Sequence, residues 1–95
     1  MKSAKTKESV GAFRGHRLAR VQDLLTIDIE RDRKSGQYVA YVRELNDIST
    51  FGETYEQTLD HTSDLILTYI ESMLEDKESL PLTAAQIQKI RTALE

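Results

Sequence analysis

The feature that most constrains the fold of this chain is a change of hydrophobic period within residues 38–59. Residues 38–42 (YVAYV) are β-branched or aromatic and apolar on both faces, which is typical of a central strand. Residues 48–51 (ISTF) predict a short second strand, which ends at Gly52. From Leu59 onward apolar residues recur at helical spacing. The stretch therefore predicts a strand, a loop, a strand and the start of a helix.

A further strand is predicted before this stretch. Leu25, Ile27 and Ile29 alternate with polar residues, as expected for a strand with one buried face. The polar turn at residues 32–36 contains Gly36, which can adopt a positive φ. The two strands flanking this turn are predicted to form a hairpin.

The helix after Gly52 is predicted to be amphipathic and to lie on the sheet. Thr54 and Gln57 fit a capping box, in which the threonine hydroxyl accepts an amide and the glutamine side chain reaches back. Pro81 cannot continue a helix, so residues 80–82 are either extended chain or a fourth strand. A second capping box at residues 83–86 predicts a short terminal helix.

These patterns predict an α+β fold with a three- to four-stranded, largely antiparallel sheet packed on one long helix, plus a short C-terminal helix. We predict a basic, flexible N-terminal arm at residues 1–20, an α+β domain at residues 21–82 and the terminal helix at residues 83–95. A chain of 95 residues buries a modest core. Exposed sheet edges invite pairing, so we expect a homodimer or a higher homo-oligomer.

Charge divides the chain into a basic tail and an acidic body. Residues 1–20 carry a net charge of +5 and residues 21–95 a net charge of −8. The absence of cysteine excludes disulfides and thiolate zinc sites. No apolar run approaches the roughly 20 residues that cross a bilayer, so we expect a cytoplasmic protein without a membrane partner.

The order of motifs in residues 24–82 resembles that of the HicB-type antitoxins of bacterial toxin–antitoxin pairs. In that family an apolar strand, a loop and a short strand lead through Gly-Asp/Glu-Thr into a helix, and here Gly52, Glu53 and Thr54 occupy the same place. Pro81 corresponds to the family's proline segment after the helix. The loop at residues 43–48 departs from the family, since it lacks both prolines and the glycine.

The resemblance implies a fragment of a ribonuclease-H-like fold that has no nuclease activity of its own. It also implies an antitoxin that masks the active surface of a small basic toxin, which cleaves mRNA. The acidic body suits such a partner, because clustered carboxylates steer a cationic surface toward them. The predicted partner-binding residues are Glu44, Asp47, Phe51, Glu53 and Glu56.

We predict that the chain is not an enzyme and uses no cofactor or metal. It has no activated nucleophile, phosphate loop or nucleotide fingerprint. Asp28 lies where a ribonuclease-H-like enzyme holds a metal, but two-metal hydrolysis needs several converging carboxylates. Asp28 is therefore predicted to be an exposed residue of the polar strand face, and His61 with Asp64 a surface pair.

An alternative interpretation is a stand-alone nucleic-acid-binding regulator that uses the basic arm. Arg14, Arg17 and Arg20 would then contact phosphates, for example of DNA, with strong salt dependence. The competing interpretation of the same arginines is a solvated tail without a partner.

Overall fold

The computed structural model describes residues 5–7, 13, 15–76 and 81–95 of the chain. One antiparallel sheet has its strands in chain order. The strands are β1 (Lys5–Lys7), β2 (Ile27–Asp32), β3 (Tyr38–Val42) and β4 (Ile48–Gly52). Helices α1 (Tyr55–Glu75) and α2 (Ala84–Leu94) follow, and short 3-10 helices span Arg17–Val21 and Arg43–Leu45. The predicted α+β class is confirmed.

The register of the sheet separates a buried face from a polar one. Ile27 of β2 lies opposite Val42 of β3, and Ile29 lies opposite Ala40. All four side chains are buried in the core that α1 covers. Because successive residues of a strand point to opposite faces, the polar face carries Asp28, Glu30, Tyr41 and Phe51. The alternation predicted for residues 25–30 thus describes β2 correctly.

Several described residues within the predicted flexible arm at residues 1–20 pair with the sheet or pack in the core. Strand β1 pairs with β2, with Lys5 opposite Asp32. Phe13 and Leu18 are buried in the core. Leu18 belongs to the 3-10 helix Arg17–Val21, and this helix packs on α2. The physical reason is that a small domain has few apolar side chains, so those near the terminus are needed to complete its core.

The segment predicted as extended chain or a fourth strand lies only partly within the described residues. Pro81 and Leu82 form a bend before α2, and residue 80 lies outside the described part. The fourth strand of the sheet is β1, at the other end of the chain. No helix in the described ranges has both the length and the apolar character needed to cross a membrane.

The junction between β4 and α1 is tight, and its cap differs in one detail from the prediction. The hydroxyl of Thr54 accepts the amide of Gln57 at 3.0 Å, as predicted. The Gln57 side chain accepts from the amide of Glu53, at 2.7 Å, instead of from that of Thr54. At the start of α2, the predicted capping box of Thr83 and Gln86 is complete.

Candidate protein-binding surface

The loop between β3 and β4 turns sharply without the prolines and glycine of the HicB pattern. Asn46 and Asp47 adopt left-handed backbone angles, with φ of 62° and 55°. Asparagine and aspartate tolerate this region better than most residues. The preceding Leu45 is buried, and the Asn46 side-chain amide donates to the hydroxyl of Tyr69 on α1 at 2.8 Å. The loop is therefore held to α1 by Leu45 and Asn46, which are not part of the HicB pattern.

Glu44, predicted to bind a partner, makes hydrogen bonds inside the domain. Its two carboxylate oxygens accept from the amide of Thr26 at 2.6 Å and from the hydroxyl of Thr26 at 2.8 Å. Burial raises the pKa of Glu44, but these hydrogen bonds outweigh the burial, so the pKa lies below its usual value. The carboxylate thus joins the start of β2 to the loop after β3.

Replacing Glu44 by glutamine is expected to cost about 1 kcal/mol of stability at neutral pH, because it removes one charged acceptor. The folded-state pKa lies below the ordinary 4.5. The stabilisation by Glu44 is therefore complete above about pH 4.5 and is lost as the pH falls through the folded-state pKa. Urea denaturation of both proteins across this range measures the difference. Glu75→Gln, at the exposed end of α1, is the control, and an equal loss in both variants would contradict the prediction.

On the polar face of the sheet, Asp28 is paired with a cation. It accepts a hydrogen bond from Nε of Arg43, and this bond and the charge of Asp28 raise the pKa of Arg43. The two residues, with Glu30, Tyr41 and Asp47, line an open hollow of about 450 Å³. In the ranges that the structure describes, no three His, Cys, Asp or Glu residues are grouped as metal ligands.

The other four predicted partner-binding residues lie around strand β4. Asp47 precedes the strand and Glu53 follows it, and both are exposed. Glu56 is exposed in the first turn of α1. Phe51 is 59% exposed, although it lies within β4. The fold therefore places these four residues along β4, at its two ends and at the start of α1, and we call this set of three carboxylates and one apolar side chain the β4 border.

His61 is a residue of this surface whose role the sequence did not indicate. It was predicted to pair with Asp64, but its Nδ1 donates to the carbonyl oxygen of Phe51 at 2.7 Å. Asp64 instead lies 3.8 Å from Arg17. Local spacing on one helix cannot predict these bonds, because both partners come from other elements.

The arginines predicted to bind nucleic acid are placed differently from one another. Arg14 lies outside the described residues. Arg17 donates to the carbonyl oxygen of Leu94 at 2.6 Å, which ties it to the end of α2. Arg20 is exposed.

The start of the 3-10 helix Arg17–Val21 is also tied to α1. His16 accepts the amide of Leu18 at Nδ1 and donates from Nε2 to Asp60 at 2.9 Å. The hydrogen bond from His16 lowers the pKa of Asp60. With Arg17 bonded to α2 as well, this segment is anchored by polar contacts in addition to its buried side chains.

Comparisons of the chain with known protein-family models, with curated proteins and with solved structures gave no match.

Proposed function

We propose that this chain is a non-enzymatic binding protein of the antitoxin type, which neutralises a small basic ribonuclease by covering its active surface. The observation that carries the proposal is the β4 border, where an exposed aromatic side chain lies in a strand with an exposed carboxylate at each end and a third at the start of α1. Apolar side chains supply affinity at protein interfaces, and charges supply orientation and association rate. The order of motifs shared with HicB-type antitoxins supports the same proposal and indicates the class of partner.

The alternative of a nucleic-acid-binding regulator has less support. Arg17 is bonded to α2, and His16 is bonded to α1. Of the three arginines, Arg20 alone is seen exposed in the described residues. Binding to DNA depends on several cations that are available to phosphates, and Arg17 is held by a bond within the domain. The predicted homo-oligomer stays a prediction, which the mass of the purified protein tests.

Co-expression with a neighbouring gene tests the proposed function. We expect a small basic protein encoded beside this chain to arrest growth alone, and growth to be restored when this chain is present. The two proteins should co-purify in a complex that weakens as salt is added, because charge contributes to it. Glu75→Lys is a control that changes the charge away from the β4 border. Restored growth without co-purification, or no binding to any adjacent basic protein, would contradict the proposal.

A further inference from the structure

We propose that the outer edge of β4 is a docking site to which the partner adds an extended, positively charged strand. That this partner is a ribonuclease rests on the proposed function, whereas the edge and its chemistry do not. Within the described residues, β4 is the last strand of the sheet. Addition of a strand to a sheet edge derives affinity from backbone hydrogen bonds and specificity from side chains beside them.

The hydrogen-bond pattern shows which groups of β4 point outward. The amide of Arg43 donates to the carbonyl oxygen of Thr26 at 3.0 Å, and the amide of Asp32 donates to the carbonyl oxygen of Gln37 at 2.8 Å. The backbone groups of odd-numbered residues in and beside β3 therefore bond toward β2. Even-numbered residues of β3 therefore bond to β4, where their partners are residues 48, 50 and 52. The amides and carbonyls of Ser49 and Phe51 consequently face outward. The bond from His61 to the Phe51 carbonyl agrees with this direction, and a carbonyl oxygen can accept a second one.

The sequence of β4 lacks two of the features by which proteins protect an edge strand, namely charged residues and proline. Such edges carry charged residues, prolines or bulges that prevent pairing with another chain. Strand β4 (Ile48–Gly52) contains no charged residue and no proline. Phe51 lies opposite Val39 on the polar face of the sheet, and more than half of its surface is exposed. A partner strand would cover this side chain while it pairs with the backbone.

The charges at the two ends of β4 favour a basic segment over a second copy of this chain. In a symmetric antiparallel pair centred on Thr50, Asp47 of each copy would lie opposite Glu53 of the other. Like charges directly opposite each other destabilise a strand pair. An extended segment with lysine or arginine at both ends would instead pair with both carboxylates. We therefore assign the edge to a positively charged strand of a different protein.

The test measures the affinity of the co-purifying basic protein for variants of the edge by titration calorimetry. The double variant Asp47→Lys with Glu53→Lys is expected to weaken binding at least about tenfold, and Phe51→Ala by a similar factor. The matched control, Glu75→Lys with Asp76→Lys, makes the same charge change at the far end of α1 and should bind as the unaltered chain does. Ser49→Pro removes one outward amide and is expected to bind more weakly than Ser49→Ala, which retains it; equal binding by the two folded variants would contradict the pairing. If Ser49→Pro fails to fold, the charge variants and Phe51→Ala decide the question.

Amide hydrogen exchange gives a second readout. The amides of Ser49 and Phe51 are expected to gain protection in the complex. If no adjacent protein binds, peptides of alternating arginine and valine replace the partner, with glutamate–valine peptides as the control. In that case the proposed function fails. The proposed docking site stands only if the basic peptides slow the hydrogen exchange of the Ser49 and Phe51 amides. Full binding by the charge-reversed double variant would overturn it. Protection of both amides in a free chain of twice the monomer mass would also overturn it, because a second copy would then hold the edge.

Discussion

Replacing Gly52 by alanine is expected to lower the free energy of unfolding by about 3 kcal/mol, the upper part of the usual range for overpacking. A Cβ atom at this position would lie 2.6 Å from the Thr58 hydroxyl oxygen and 2.8 Å from the Thr58 amide nitrogen. The first contact can be relieved by a side-chain rotation. The second cannot, because that nitrogen belongs to the backbone of α1, where it donates to the Thr54 carbonyl at 3.0 Å. The first turn of α1 must therefore move away from β4.

Urea denaturation followed by circular dichroism measures this loss, and two further variants separate its causes. A Cβ atom added at Gly36 would meet no other atom within 4 Å. The Gly36→Ala variant therefore reports only the backbone strain of an alanine at a φ of +76°. We expect a cost of about 1 kcal/mol there. Thr58→Ala in the Gly52→Ala background removes the hydroxyl contact and should restore only part of the stability. A Gly52→Ala protein as stable as the unaltered chain would show that β4 and α1 are less tightly packed than described.

Gly52 also illustrates how far the sequence alone could lead. The Gly-Glu-Thr order marked the end of a strand and the start of a helix, and both lie where the pattern predicted them. Periodicity and capping residues are local signals, so they are readable without a structure. The reason for glycine at this position is a contact with Thr58, and it needs the packing of the helix on the strand to be known.

Features that depend on distant residues were the ones that the sequence did not predict. Strand β1 has a polar sequence, Lys-Thr-Lys, which carries no strand pattern and is specified by its pairing with β2. The bond between Glu44 and Thr26 joins residues 18 positions apart. Of the candidate site, the acidic residues could be named in advance, because charge is visible in the sequence. Their different roles could not be named, because they depend on the register of the sheet. Glu44 binds within the domain, whereas Asp47 and Glu53 flank the edge strand β4.

The second large effect is expected at Leu18, in the segment that the sequence assigned to a flexible arm. Its side chain is fully buried in the core, beside Val21 of the same 3-10 helix. Truncating a buried leucine to alanine costs about 2–5 kcal/mol, because apolar contacts are lost and a cavity remains. Small domains are stable by only about 5–15 kcal/mol in total. Leu18→Ala is therefore expected to lose a large share of the stability of the domain, measured as a lower urea midpoint with an unchanged slope.

Arg20→Ala provides the control, since Arg20 is exposed on the same 3-10 helix and should change the stability by less than about 0.5 kcal/mol. If both variants were equally stable, the segment would be an arm after all. The same reasoning decides how nucleic-acid binding should be tested. A chain lacking residues 1–20 would lose Phe13, Leu18 and strand β1, so loss of binding in that variant would report unfolding. Arg20→Glu in the full-length chain changes the charge and leaves the core intact, and it is therefore the variant that separates an electrostatic role of this segment from its structural one.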